Sequence, residues 1–398
     1  MLNKQSARGG VDKNKWKRWF MKPFLADRFS HQPDLMFLLS IALLLFFGLL
    51  FLSSASSSLA FGQREQDVYF FVKQQITHGL IPGLVLFYLA LRIDYHRYQA
   101  YSRWFFYACI FLLLIVFIPG LNLAGATARS WIDVGPFSLQ TSEFVKLFFV
   151  LFLAVYLEEK KDDLTNFKLG VWPFLFYLGI VSFLLILQPD LGTLSIIISS
   201  ALAMYLAAGM RFKHFSAIIL AGLLALALMI KAAPYRLARL TAFLHPDFDP
   251  QGISYQIRQA LIAVGSGGIL GLGFGSARQK LSFVPEPAGD SVFAIIAQES
   301  GFIFSTLFIC LFAFFLYRAF KIVKSSPDNF AKLATLGITI WLSAQIFLNI
   351  GSIIGLLPLT GVPLPFVSLG GSNLAITLLA MGIIANISKY TLTNHYHR

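Results

Sequence analysis

Apolar residues in this chain come in long runs broken by short polar ones, the pattern of a polypeptide that folds in lipid. A helix crossing the hydrocarbon core of a bilayer takes about 20 mainly apolar residues. Ten stretches approach that length: 35–56, 75–93, 104–120, 142–158, 170–188, 191–209, 215–232, 291–317, 334–357 and 368–388. They predict an all-α, polytopic integral membrane protein with ten transmembrane helices. Three regions follow: a basic leader, 1–34, a transmembrane domain, 35–388, and a short tail, 389–398. The leader precedes a span too long for a signal-peptide core and reads as an uncleaved anchor. Composition agrees, with 57% hydrophobic and 13% charged residues and a mean hydropathy of +0.70; soluble domains carry about 25% charge. A cytosolic enzyme, a secreted disulfide scaffold and a disordered tail are thereby excluded. Cys109 and Cys310 both lie in apolar runs, so no disulfide framework or cysteine zinc site is expected.

The formal charge of +13 fixes orientation and gives no support to nucleic acid as a partner. With the N-terminus inside, 22 of the 32 Lys and Arg fall on the inner side, so both termini are expected in the cytoplasm. Lys13, Lys15, Lys17, Arg18 and Lys22 of the leader suit contact with an anionic lipid surface. The outer face then holds two long loops, 121–141 and a large one at 233–290 between the seventh and eighth helices. It also holds Leu357–Val367, rich in proline and followed by Gly370-Gly371. Loops of that length in a compact protein are usually functional, which places any chemistry at the outer leaflet.

Acids on that side are few: Glu65, Asp67, Asp133, Glu143, Asp190, Asp247, Asp249, Glu286, Asp290 and Glu299. Glu143 and Lys146 open the fourth span at a spacing that shares one helical face. They are either a structural ion pair or the wall of a polar cavity that holds an anionic head group. Arg129 and Trp131, just upstream, add a cation and an aromatic suited to a lipid-linked phosphate and sugar. Asp190 is placed to cap the sixth span. The large loop offers Arg236, Arg239, Gln256, Arg278 and Lys280, together with a glycine run, 265–275, that fits no nucleotide fingerprint and suits re-entrant packing. Asp290, at the foot of the eighth span, is either a helix cap or an ionised, poorly solvated carboxylate of the kind a general base requires. Glu299 lies nine residues deeper and reads as a packed, hydrogen-bonded acid. No HExxH, histidine cluster or Ser-His-Asp arrangement is present.

Four stretches resemble a known family, the shape, elongation, division and sporulation (SEDS) proteins, which includes FtsW, RodA and SpoVE. They are Gly125–Lys146, with its Q-T-S-E-x-x-K; Leu187–Thr193; Tyr235-Arg236 through Tyr255-Gln256 and the glycine run to Glu286 and Asp290; and Asn349–Ser372, with Ser368-Leu369-Gly370-Gly371-Ser372. Ser-Ala-Ser in the first span and the Tyr235–Phe243 stretch are more similar to the FtsW and SpoVE branch than to RodA. Departures from the family pattern are Thr141 for proline, Ala288-Gly289 before Asp290, Gln298 for glutamate and Leu369 for tyrosine.

The resemblance implies a peptidoglycan glycosyltransferase, an enzyme that polymerises lipid II at the outer face of the cytoplasmic membrane. It implies Asp290 as the catalytic carboxylate, acting as general base. Trp131, Arg129, Glu143, Lys146, Arg236, Arg239, Gln256, Lys280 and Ser368 become substrate-binding candidates. It further implies a class B penicillin-binding transpeptidase as partner, among other division or elongation proteins, and use at the septum. The departing pyrophosphate admits a divalent cation, Mg²⁺ or Mn²⁺, although no residue set is assigned as metal ligands. The rival readings are a lipid II flippase and a non-catalytic division scaffold.

Overall fold

The computed structural model describes residues 31–63, 67–121, 130–135, 137–232, 234–245, 254–277 and 284–391. The leader up to residue 30, Glu65, Arg129, Asp247, Asp249, Arg278 and Lys280 fall outside them. Eight helices among the described residues are long and apolar enough to cross a membrane. In chain order the helices, apart from the short His96–Ala100, are α1 (Leu35–Gln63), α2 (Phe70–Arg92), α3 (Ser102–Ile115), α4 (Thr141–Glu159), α5 (Phe167–Leu187) and α6 (Leu191–Ala208). There follow α7 (Phe212–Ala232), α8 (Pro234–Leu244), α9 (Tyr255–Ser266), α10 (Val292–Lys324), α11 (Asn329–Ile353) and α12 (Gly371–Ser388). The eight spans are α1, α2, α5, α6, α7, α10, α11 and α12. α3 is a shorter apolar helix, and α4 carries Glu143, Lys146, Glu158 and Glu159.

Each long apolar run becomes a helix because only a helix satisfies its own peptide groups in hydrocarbon. Packing sorts the helices further. α4 is buried along nearly its whole length and packs against α3, α6 and α11. α12 packs on α2, and α1 on α10. α7 is the exception: none of its span is buried, and its contacts are chiefly with α6 and α8, besides a ring contact between His214 and Phe167 of α5.

The described parts of the two long inter-helix segments contain regular elements. Residues 121–141 contain a two-stranded hairpin, β1 (Trp131–Val134) against β2 (Phe137–Gln140), with Trp131 opposite Gln140. Residues 233–290 contain α8 and α9, so the expected single loop is corrected to two surface helices with linkers.

The eighth span is also less regular than its hydropathy predicts. α10 breaks at Gly301, whose φ of 71° and ψ of −174° are not helical. A break at membrane depth frees peptide groups that must find partners. The glycine run supplies them: Phe302 N donates to Gly268 O at 2.9 Å, Ile303 N to Ile269 O at 3.2 Å, Leu272 N to Gln298 O at 3.1 Å and Gly273 N to Glu299 O at 3.0 Å. The two backbones approach so closely that a Cβ on Gly301 would lie 2.2 Å from Gly271 N. Re-entrant packing, expected from the glycine density, is thus the form this segment takes.

Gly301→Ala combines that clash with a left-handed φ, and a loss of roughly 2–4 kcal/mol is expected from strain and overpacking. Thermal unfolding in detergent should show a clearly lower midpoint. Gly179→Ala, in α5 with nothing within 4 Å of its added Cβ, should leave the midpoint unchanged or slightly raised.

Candidate active site

Asp290 lies in a tight turn between Val284 and the start of α10. Gly289 N and Ser291 N both donate to Glu286 O, at 2.9 and 3.3 Å, and Glu286 itself takes a left-handed φ of 48°. Ser291 occupies the helix-capping position, so Asp290 is not the cap. The residue is half-buried. Ser291 Oγ donates to Oδ1 at 3.2 Å, and Gln256 Nε2, from α9, reaches Oδ1 and Oδ2 at 3.4 and 3.5 Å.

Burial is the main influence on this carboxyl group, followed by the negative charge of Glu286. Together they raise its pKa to about 6, against the pull of the Ser291 and Gln256 contacts and of the Arg239 charge. Arg239 is exposed on α8. A carboxylate of this kind is ionised at neutral pH yet more basic than a surface aspartate, which suits it to proton abstraction. Asp190 behaves differently: Oδ1 accepts from Thr193 N at 3.0 Å and Oδ2 from Thr193 Oγ1 at 2.9 Å. It caps α6, as its position suggested.

Glu143 and Lys146 form a buried ion pair. Lys146 Nζ lies 2.8 Å from Glu143 Oε2, both side chains are 2% exposed, and the ammonium sits 4.9 Å above the Trp341 ring. Nζ also donates to Gln345 Oε1 at 3.0 Å, and that oxygen takes the Trp341 indole N–H at 2.7 Å as well. Both side chains are thus buried and partnered within the protein, which favours a structural ion pair over the wall of a head-group cavity. Ser368 is likewise consumed internally. It is 4% exposed, and its hydroxyl accepts from Leu364 N at 2.8 Å.

Trp131 is half-buried on β1 and makes none of the hydrogen bonds of Asp290. Its hairpin is tied to α12 through Gln140 N and Ser372 Oγ, 3.2 Å apart. Arg236 belongs to α8; Arg129 and Lys280 lie outside the described residues. The structure therefore assembles Asp290, Gln256, Glu286 and Arg239 at one place. Among the described residues no group of three His, Cys, Asp or Glu side chains is set to hold a metal ion.

Sequence reasoning passed over Gln345 and Asn349, one helical turn apart on α11. Gln345 Nε2 donates to Pro363 O at 2.9 Å, and Asn349 Nδ2 donates to Asp290 O at 2.7 Å and to Val362 O at 2.8 Å. Two carboxamides at an i, i+4 spacing in an apolar span were the available signal. Leu369 N donates to Ala288 O at 2.8 Å. Two of the positions at which this sequence departs from the family are thus joined through main chain, which any side chain permits.

Residues 34–393 match the family model described as "Cell cycle protein", that of FtsW, RodA and SpoVE. The chain belongs to this family. Stage V sporulation protein E of Bacillus subtilis (strain 168) is 41% identical over 362 residues, covering 90% of this chain and 98% of that protein. A probable peptidoglycan glycosyltransferase FtsW of Nitrosomonas europaea is 38% identical over 364 residues, covering 89% and 93% respectively. Among solved structures, a chain from work on the structural coordination of polymerization and crosslinking by a peptidoglycan synthase complex superposes with a TM-score of 0.71. It has 25% identity and covers 89% of this chain and 97% of that one. The rod shape determining protein RodA of Thermus thermophilus shares the fold, with a TM-score of 0.67, 24% identity and coverage of 91% and 98%. The chain is a multi-pass membrane protein with a RodA-like fold.

Removing one partner of a buried ion pair strands the other charge, at a cost of about 3–5 kcal/mol. Lys146→Ala should therefore lower the unfolding midpoint sharply, and the double variant Glu143→Leu/Lys146→Met should recover most of the loss. Equal melting of Lys146→Ala and wild type in detergent would contradict the structural assignment.

Proposed function

We propose that this protein is a peptidoglycan glycosyltransferase that joins lipid II units into glycan strands at the outer face of the cytoplasmic membrane. The observation that carries the reading is Asp290: a half-buried carboxylate, raised to about 6 and faced by Arg239, in a chain 38% identical to a protein named for this activity. In the reaction, the 4-hydroxyl of an acceptor GlcNAc attacks the anomeric carbon of a MurNAc carried on undecaprenyl pyrophosphate. Asp290 takes the hydroxyl proton as the new C–O bond forms. The bond from the anomeric carbon to the pyrophosphate oxygen breaks, its electron pair leaves with the pyrophosphate, and the centre inverts. Arg239 supplies positive charge toward the leaving group, a task the sequence also offers to Arg129, Arg236, Arg278 and Lys280. With Lys146 buried, substrate charge is met by loop and α8 cations rather than by α4.

The same reading makes α3 and α4 the remaining two of ten spans. α3 is short, and α4 exceeds an apolar helix in charge only through residues that are paired or terminal: Lys146 neutralises Glu143, and Glu158 Oε1 caps Phe330 N at 3.2 Å. An even number of spans places both termini on one side, which the basic inner loops mark as cytoplasmic. A class B penicillin-binding transpeptidase at the septum is the partner that would cross-link the strands, since no acyl-transfer group accompanies Asp290 among the described residues. Mg²⁺ or Mn²⁺ is a candidate aid to departure of the pyrophosphate.

Purified protein given fluorescent lipid II tests the assignment. Asp290→Asn should abolish polymer, and undiminished polymer would remove the base. The wild-type kcat/KM should climb as pH rises through about 6 and then level off, because only the ionised carboxylate of the free enzyme accepts a proton. Stability should move the opposite way. A carboxyl whose folded pKa exceeds its ordinary value of 3.8 stabilises the protein below that value and loses the contribution as pH rises through the folded pKa. Asp290→Asn should thus melt higher than wild type at pH 7.5 and together with it near pH 3.5.

A further inference from the structure

The carboxylate of Asp290 is aimed by weak contacts, Gln256 at 3.4 and 3.5 Å and Ser291 at 3.2 Å. Its main chain is held harder. Asn349, 1% exposed, gives one amide hydrogen to Asp290 O at 2.7 Å and the other to Val362 O at 2.8 Å. Those carbonyls belong to different loops, the turn before α10 and the proline-rich segment after α11. The second loop passes directly over the carboxylate: a Cβ on Gly361, whose φ is +70°, would lie 3.8 Å from Asp290 Oδ2. One amide therefore sets the distance between the carboxylate and the main chain that walls it.

We propose that Asn349 is a positioning residue for the transfer reaction, its side-chain amide fixing the gap in which the acceptor hydroxyl meets Asp290. This rests on the reading of Asp290 as the base. Asn349 Oδ1 has no hydrogen-bond partner among the described residues, so the side chain is bonded by its two donors alone. Their direction is dictated, because both partners are carbonyl oxygens that can only accept. Gln345 braces the same loop one turn away through Pro363 O at 2.9 Å, and is itself held by Lys146 at 3.0 Å and Trp341 at 2.7 Å. The buried ion pair thus reaches the reacting carboxylate through Gln345, the outer loop and Asn349, without touching substrate. A misplacement of about 1 Å at a reacting group can cost 10²-fold in rate.

The test compares wild type with Asn349→Ala, which lacks both donors, and Asn349→Ser, which keeps one. Lipid II polymerisation is measured for kcat and KM, normalised to folded protein counted by size exclusion in detergent. Asn349→Ala should lower kcat by roughly 10- to 100-fold with KM within about twofold of wild type, and Asn349→Ser should fall between. A kcat for Asn349→Ala within about threefold of wild type overturns the proposal. So does a loss confined to KM, or the absence of folded protein from both variants, which would make the residue structural. Wild-type protein that makes no polymer would instead sink the reading of Asp290, and this inference with it.

Discussion

An ammonium group sealed among transmembrane helices costs several kcal/mol unless it is neutralised on the spot. Lys146 meets that demand with the Glu143 carboxylate at 2.8 Å, the Gln345 carbonyl oxygen at 3.0 Å and the face of Trp341 at 4.9 Å. These partners come from two elements. Glu143 shares α4, whereas Trp341 and Gln345 lie on α11, and Gln345 reaches on to Pro363 in the outer loop. Satisfying one buried charge therefore fixes α4 against α11, and α11 against the loop that covers Asp290. The pair contributes little net stability by its mere presence, because desolvation offsets attraction. What it supplies is a single permitted arrangement, since any other leaves a charge unpaired in hydrocarbon.

A second constraint acts on the backbone. α10 cannot run straight from the Asp290 turn to its far end, because Gly301 breaks it. The break is stable only because the glycine run takes up the freed peptide groups. Glu299 stands beside it, 2% exposed, with Oε1 accepting from Ser54 Oγ at 2.6 Å and from Ala277 N at 3.4 Å. The first turns of α10, which carry the Asp290 turn, are in this way tied to α1 and to the segment after α9. The carboxylate is thereby anchored from two sides, by the broken helix below and by the Asn349 clamp at its main chain.

How much of this could be read in the sequence depended on where each signal resides. Span length and apolarity are properties of single segments, so the long helices were legible but their ends were not: 191–209 is α6 with its terminal glycine, whereas 35–56 and 291–317 stop short of the ends of α1 and α10. The hairpin and the helices α8 and α9 were hidden because they lie in polar segments classed by exclusion as loops. Asp190 and Asp290 look alike on paper, each an acid at the head of an apolar helix. The structure separates them because Ser291 takes the capping position and leaves Asp290 one residue outside it. The spacing of Glu143 and Lys146 announced a pair, but its seal is formed by Trp341 and Gln345, about two hundred residues on. Asn349 was harder still. Its partners are main-chain carbonyls of Asp290 and Val362, and a carbonyl leaves no mark on the residue type that carries it.

The electrostatics of Asp290 gain their meaning from the charge of the reactants. A carboxylate held near 6 by burial and Glu286, and restrained by Arg239, is ionised in the resting protein, so no proton must be shed before turnover. On the proposed reaction, the donor brings a pyrophosphate into the same notch. Its negative charge raises the proton affinity of Asp290 further, at the moment when a hydroxyl proton must be taken up. Arg239 then faces two anions instead of one, and its attraction is shared with the leaving group as negative charge gathers there. The base strengthens because the leaving group is bound, and deep burial of every cation would forfeit that coupling. Lys146 serves best where it is found, out of reach and shaping the notch, while the mobile charge of the substrates is met by a cation at the surface.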